Sequence, residues 1–263
     1  MPKPSIVFLM YHELEVPHRR ICQDEPGYSR YVLTEAQFLS QIQYLKENAW
    51  QALSVGQALK FPTGRSVVIT FDDGCETDLL VAAPILRQAG FTATFFITSG
   101  RLGTAGYLSF AQLKELQELG FEIGSHSISH AYLTDLDDAA LQREMSESKA
   151  QLERIIGQTV AHFSCPGGRC DQRVIQMAQT VGYQTLSTSR IRANTTSTDH
   201  FALGRVAVVR DISLPAFAAI CNASGLARMR TQSTLRGTAK RLLGNALYDR
   251  LRTKLLDSKK PST

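Results

Sequence analysis

Three short clusters in this 263-residue chain carry side chains suited to hydrolytic chemistry. Thr70-Phe71-Asp72-Asp73-Gly74 sets two adjacent carboxylates at the end of the apolar run Val67–Phe71. Such a pair repels itself unless a cation or a proton separates the charges, and Gly74 permits a turn that aims both groups at one cavity. Alone, the cluster reads first as an Asp-Asp-Gly turn with a helix cap. Gly124-Ser125-His126-Ser127-Ile128-Ser129-His130 spaces two imidazoles four residues apart, the separation at which side chains meet on one side of a helical turn and share a metal ion. Alone, it reads as readily as structural or solvated histidines. Together the two clusters offer one carboxylate and two imidazoles with a coordination position left open, the pattern of a catalytic zinc, and the remaining carboxylate is free to act as a base. In Phe163-Ser164-Cys165-Pro166-Gly167-Gly168-Arg169, the proline and glycines let backbone pass close to a ligand, and the Gly167 N–H could face a developing oxyanion. A plain strand-to-helix turn is the alternative.

Regular alternation of β-branched or aromatic runs with amphipathic stretches supplies the elements that would position these clusters. Strands are expected near Ile6–Tyr11, Val67–Phe71, Thr92–Thr98, Phe121–Ser125, His162–Cys165, Tyr183–Ser187 and Arg205–Val209. Thr34 with Gln37 and Ser109 with Gln112 form capping boxes, Asp137 or Asp138 can open a helix ending at Gly157, and Asp171 one ending at Gly182. Seven strands alternating with helices fit a parallel sheet, either open and doubly wound or an incomplete barrel; both present their working residues at the carboxyl ends of the strands.

The net charge of +5 is unevenly spread. Residues 226–263 hold ten Lys or Arg against Asp249 and Asp257, whereas residues 1–225 carry 19 basic and 22 acidic side chains. We therefore expect a domain over 1–225 and a basic extension over 226–263. The stripe Leu235, Leu242, Leu251 and Leu255 gives the extension an amphipathic helix from about Leu235 to Leu256, to pack on the domain or contact an anionic membrane surface. No apolar run approaches the ~18 residues of a membrane span. The apolar run Ile6–Tyr11 is too short and too early for a normal signal peptide. Five cysteines without a C-x-x-C pair fit free thiols, so a cytoplasmic protein is expected. A G-x-S-x-G elbow, a P-loop and any nucleic-acid-binding module are absent from the sequence.

The ordered set T-F-D-D-G, H-S-x-x-H and F-S-x-P-x-G resembles the polysaccharide deacetylase family, or NodB-homology domain, from Met10-Tyr11-His12 to about Val209. The resemblance implies a distorted seven-stranded (β/α) barrel and metal-dependent removal of acetyl groups, N-acetyl first, from a sugar, polysaccharide or lipid-linked saccharide. It implies Asp72 as general base, Asp73, His126 and His130 as ligands of a divalent metal, zinc first, and Gly167 as an oxyanion-binding amide. His12 matches a Tyr-His pair close to the metal pocket of exopolysaccharide-associated members. Two features depart from the family pattern. Ser164 stands where many members have an arginine paired with the catalytic aspartate, with Arg169 and Arg205 as substitutes. No L-x-H motif supplies a proton donor, leaving His12, His200 or water. The rival readings are a non-catalytic carbohydrate-binding relative and a small-molecule amidase on the same fold.

Overall fold

The computed structural model describes residues 5–23, 27–60 and 64–231. The helix expected over 235–256 lies outside them. The strands are β1 (Ser5–Tyr11), β2 (Leu14–Glu15), β3 (Leu33–Thr34), β4 (Gln51–Leu53), β5 (Ser66–Asp73), β6 (Thr94–Ile97), β7 (Glu122–Ser125), β8 (His162–Ser164), β9 (Thr185–Ser187), β10 (Asn194–Thr195) and β11 (Val206–Ala207). The helices are α1 (Glu35–Glu47), α2 (Val55–Ala58), α3 (Ala83–Ala89), α4 (Phe110–Glu118), α5 (Asp138–Ile156), α6 (Gln172–Val181) and α7 (Leu214–Cys221).

The seven expected strands are β1, β5 to β9 and β11, and they pair in parallel in the order β11-β1-β5-β6-β7-β8-β9. Leu203, just before β11, forms a parallel bridge to Ser187 of β9, so the order returns on itself as a distorted barrel. The crossovers from β1 through β9 carry helices, whereas β9 leads to β11 without an α-helix. Strand β4 adds to the first half of β5 beside β6, and β10 runs antiparallel to β1.

Strand alternation divides the barrel chemically. Tyr11, Phe71 and Phe95 are register partners on one face, with ring centroids 5.2 and 5.1 Å apart, and Phe38 of α1 packs edge-on against both Tyr11 and Phe71. That apolar ladder is the contact between sheet and helix layer. The opposite face holds Phe8, Val68 and Phe96, closed from below by Val55 and Ala58 of α2. A Cβ on Gly124 would come within 2.4 Å of the Phe96 ring, so the glycine makes room for it. Thr70 and Asp72 continue this inner face toward the carboxyl end of β5.

The caps form as expected. Thr34 and Ser109 make complete capping boxes with Gln37 and Gln112, Asp137 and Asp171 cap α5 and α6, and Gly157 and Gly182 end those helices in the left-handed region. Chain contacts separate Met1–Ser224 from Gly225–Thr263. Of the second unit only Gly225–Thr231 is described, helical from Leu226. Among the described residues no helix is long and apolar enough to cross a membrane.

Candidate active site

The ends of β5, β7, β8 and β11 bring the expected residues together. Asp72 and Asp73 are the last two residues of β5 and are both 2% exposed. On a regular strand they would point to opposite faces. Asp73 instead has φ +85°, which breaks the pleat, and both carboxylates border one imidazole. His126 Nε2 lies 3.7 Å from Asp73 Oδ1 and 3.9 Å from Asp72 Oδ2.

The two histidines do not share a helical turn. The segment after β7 is a loop, and Ser127 and His130 take positive φ of +66° and +65°, which folds His130 back so that its Nε2 is 3.4 Å from Asp73 Oδ1. Non-glycine residues held in this region carry strain that surrounding structure must hold. Here Glu144 of α5 holds it, accepting the Ile128 and Ser129 backbone N–H groups at 2.8 and 2.9 Å and the Ser129 hydroxyl at 2.7 Å. The Ser127 hydroxyl accepts the His130 N–H at 3.1 Å.

These atoms suit a metal ion. Asp73 Oδ1 is buried and has no hydrogen-bond partner among the described residues. Ligand atoms bonded to zinc at 2.0–2.2 Å in a tetrahedron lie about 3.4 Å apart, close to the spacings around Asp73. The Ser164 carbonyl lies 2.8 Å from His126 Nδ1, which assigns the proton to Nδ1 and leaves the Nε2 lone pair facing Asp73. The Gln23 amide donates to Asp73 Oδ2 at 2.7 Å and fixes the other side of the carboxylate.

Burial lowers the His126 pKa to about 4, against the opposing pull of Asp72 and Asp73. Between the ordinary 6.5 and about 4, the unfolded chain binds a proton here that the folded chain refuses. Stability of the metal-free protein should therefore fall as pH drops through that window, with a slope of up to ~1.4 kcal/mol per pH unit from this residue. Urea midpoints measured with chelator at about pH 7 and about pH 4.5 should differ less in His126→Gln than in the parent.

Asp72 is held differently. Arg205, just before β11, is 1% exposed and grips it with both arms, Nη1 to Oδ1 at 2.6 Å and Nη2 to Oδ2 at 2.7 Å. The Ser164 hydroxyl accepts from Arg205 Nη2 at 2.6 Å and donates to Asp72 Oδ2 at 3.3 Å. Burial opposes ionisation, yet Arg205 first and then His126 outweigh it and hold the Asp72 carboxyl well below the usual carboxylate range. Of the two substitute arginines, only Arg205 reaches the carboxylate: Arg169 is exposed, pairs with Asp135 at 3.5 Å and lies 3.8 Å over the Tyr132 ring.

Gly167 is exposed beyond β8 with φ +62°, and a Cβ there would approach the Tyr132 ring to 2.5 Å. His12 follows β1, its Nδ1 buried without a partner. Burial lowers its pKa, against Asp73 and Asp72, the charges that act on it most strongly. His200 is exposed in the turn His200–Ala202.

Known proteins resemble this chain in sequence and in fold. The family model "Polysaccharide deacetylase" matches residues 60–186. YxkH of Bacillus subtilis (strain 168), assigned to the polysaccharide deacetylases, is 32% identical over 189 residues, covering 70% of this chain and 68% of its own. The poly-beta-1,6-N-acetyl-D-glucosamine N-deacetylase of Staphylococcus epidermidis is 26% identical over 201 residues, 69% of each chain. The structure of the Streptococcus pyogenes deacetylase PplD in complex with acetate superposes with a TM-score of 0.74 at 24% identity, covering 82% of this chain and 97% of that one, and shows the shared fold.

Proposed function

This chain belongs to the polysaccharide deacetylase family, and from that premise we propose that residues 1–225 hydrolyse N-acetyl groups on a saccharide polymer, using Asp73, His126 and His130 to hold a divalent metal. Among transition metals zinc suits this one-carboxylate, two-imidazole set. When bound, the ion supplies Lewis acidity toward the acetyl carbonyl and the attacking water.

The chain's own residues do the rest. Asp72 takes the proton of the attacking water as its oxygen bonds to the acetyl carbon. The arginine clamp keeps that carboxylate ionised and fixes its orientation, at the cost of a lower basicity. The Gly167 N–H, exposed at the open end of the barrel, donates to the oxyanion that develops on the carbonyl oxygen. As the C–N bond breaks, the proton taken up by Asp72 passes through His12 to the leaving amine, releasing a free amino sugar and acetic acid, which ionises to acetate. His12 is preferred to His200 because it follows β1 and feels the charges of Asp72 and Asp73, whereas His200 is exposed in the turn His200–Ala202.

The observation that carries this reading is the opposition across His126: one carboxylate is clamped by Arg205 while the other has a bare oxygen facing two imidazoles. The substrate class follows the Staphylococcus epidermidis relative. Zinc-loaded protein should release acetate from β-1,6-linked N-acetylglucosamine oligomers faster than from the monosaccharide. Turnover confined to small ureides or imides would replace the polymer reading with the amidase one.

A further inference from the structure

A second cluster of ligating groups shares no residue with the set of Asp73, His126 and His130. Glu13, Cys22 and Cys75 come from the β1–β2 turn, the loop after β2 and the segment after β5, and one ligand atom of each lies within 4.8 Å of the others. Glu13 is 1% exposed and Cys75 fully buried. Cys22 Sγ is 3.2 Å from Glu13 Oε1 and donates to the Gly106 carbonyl at 2.8 Å. Three widely separated segments thus converge on one point with two sulfurs and a carboxylate.

A buried acid follows Cys75 by three residues. Asp78 is 1% exposed, and neither of its carboxylate oxygens has a hydrogen-bond partner among the described residues. After burial, its strongest charge interactions are with Cys22, Asp73 and Glu13, all of which push its carboxyl up. The nearby cation, Arg19, is engaged at the rim by Glu76 at 3.0 Å and by the Gly106 carbonyl at 2.9 Å. Arg19 Nη2 also approaches Cys22 Sγ at 3.8 Å. A buried carboxyl without partners is a costly feature.

We propose that Glu13, Cys22 and Cys75 form a second metal site, structural in role, that takes a thiophilic divalent cation such as zinc. Two thiolates and one carboxylate make a sulfur-rich ligand set, unlike the nitrogen and oxygen set of the catalytic centre. Loading the site sends the two thiol protons to solvent. Its ligands frame the catalytic carboxylate: Cys75 lies two residues after Asp73, and Cys22 precedes Gln23, whose amide holds Asp73 Oδ2. The ion would stiffen both segments that set the Asp73 geometry.

The test uses the reduced full-length protein, loaded with cobalt(II) and dialysed. Two ions per chain are expected, with a near-ultraviolet thiolate-to-cobalt charge-transfer band that aspartate and histidine cannot produce. Cys22→Ser and Cys75→Ser should each remove the band and one ion. One ion without the band overturns the second site while leaving the catalytic reading intact. A band that survives both substitutions assigns the thiolates elsewhere and also overturns it, as does a Cys22–Cys75 disulfide isolated from reduced, metal-loaded protein. Loss of all bound metal in Asp73→Asn, with the band absent from the parent, identifies the catalytic site alone. Because the parent spectrum is decisive by itself, poor folding of a variant does not remove the test.

Discussion

Asp73→Asn is expected to lose one bound metal ion per chain and to cut acetate release by about 1,000-fold or more, several kcal/mol of transition-state stabilisation. The same substitution should leave the metal-free protein as stable as the parent, or more so. In the absence of an ion, Asp73 Oδ1 is a buried oxygen with no hydrogen-bond partner among the described residues, and a neutral amide is less costly to bury there than a carboxylate. Asparagine also tolerates the positive φ of this residue better than most side chains. A structural aspartate would behave in the opposite way, destabilising the protein when replaced whether or not metal is present. Paired urea titrations with chelator and with zinc separate the two roles. Gln23→Ala is the milder companion: removing an outer partner of a ligand typically costs 10–100-fold in metal affinity.

Arg205→Met should destabilise the fold by about 3–5 kcal/mol, because it strips the partner from a fully buried carboxylate. Its guanidinium also lies 5.4 Å over the Phe96 ring, so the loss extends into the inner core. Without the guanidinium, burial acts on Asp72 unopposed by its main counter-charge, and the carboxyl rises. The acid limb of the rate profile should then move to higher pH, since more of the base is protonated at any given pH. Arg205→Lys keeps the charge and loses the two-armed grip, so kcat should fall while KM changes little. The double variant Asp72→Asn/Arg205→Met should recover much of the stability and none of the activity, because the unpaired charge is gone along with the base. Equal stability loss in the single and double variants would contradict the ion-pair account.

What could be read from sequence follows from how local each signal is. The seven strands and four of the helix starts are marked within a few residues by β-branched runs and by caps such as Ser109 with Gln112, and these stand in the structure as expected. Strand β4 has only Gln51-Ala52-Leu53, too few residues for a period, and is fixed by pairing with β5. The chemistry-bearing residues are legible because each closes a strand in a compact cluster. The reason for their convergence is not: the expected helical turn at His126–His130 is a loop held by left-handed residues and by Glu144, which lies on another element. Arg205 is 133 residues from Asp72, and sequence offered it only as one of two substitutes. Gln23 carries no signal at all, since a lone glutamine in a loop resembles any other until its amide is found on Asp73. Ser164, read as a departure from the family pattern, joins Arg205 to Asp72 through its hydroxyl.

The most direct measurement of the central claim compares Asp72→Asn with the parent, both zinc-loaded, for bound metal and for acetate released from N-acetylglucosamine oligomers. The account predicts unchanged metal at Asp73, His126 and His130 with acetate release lowered by at least the 10²–10⁴-fold that a positioned base contributes. Acetate release that survives in the variant would contradict it.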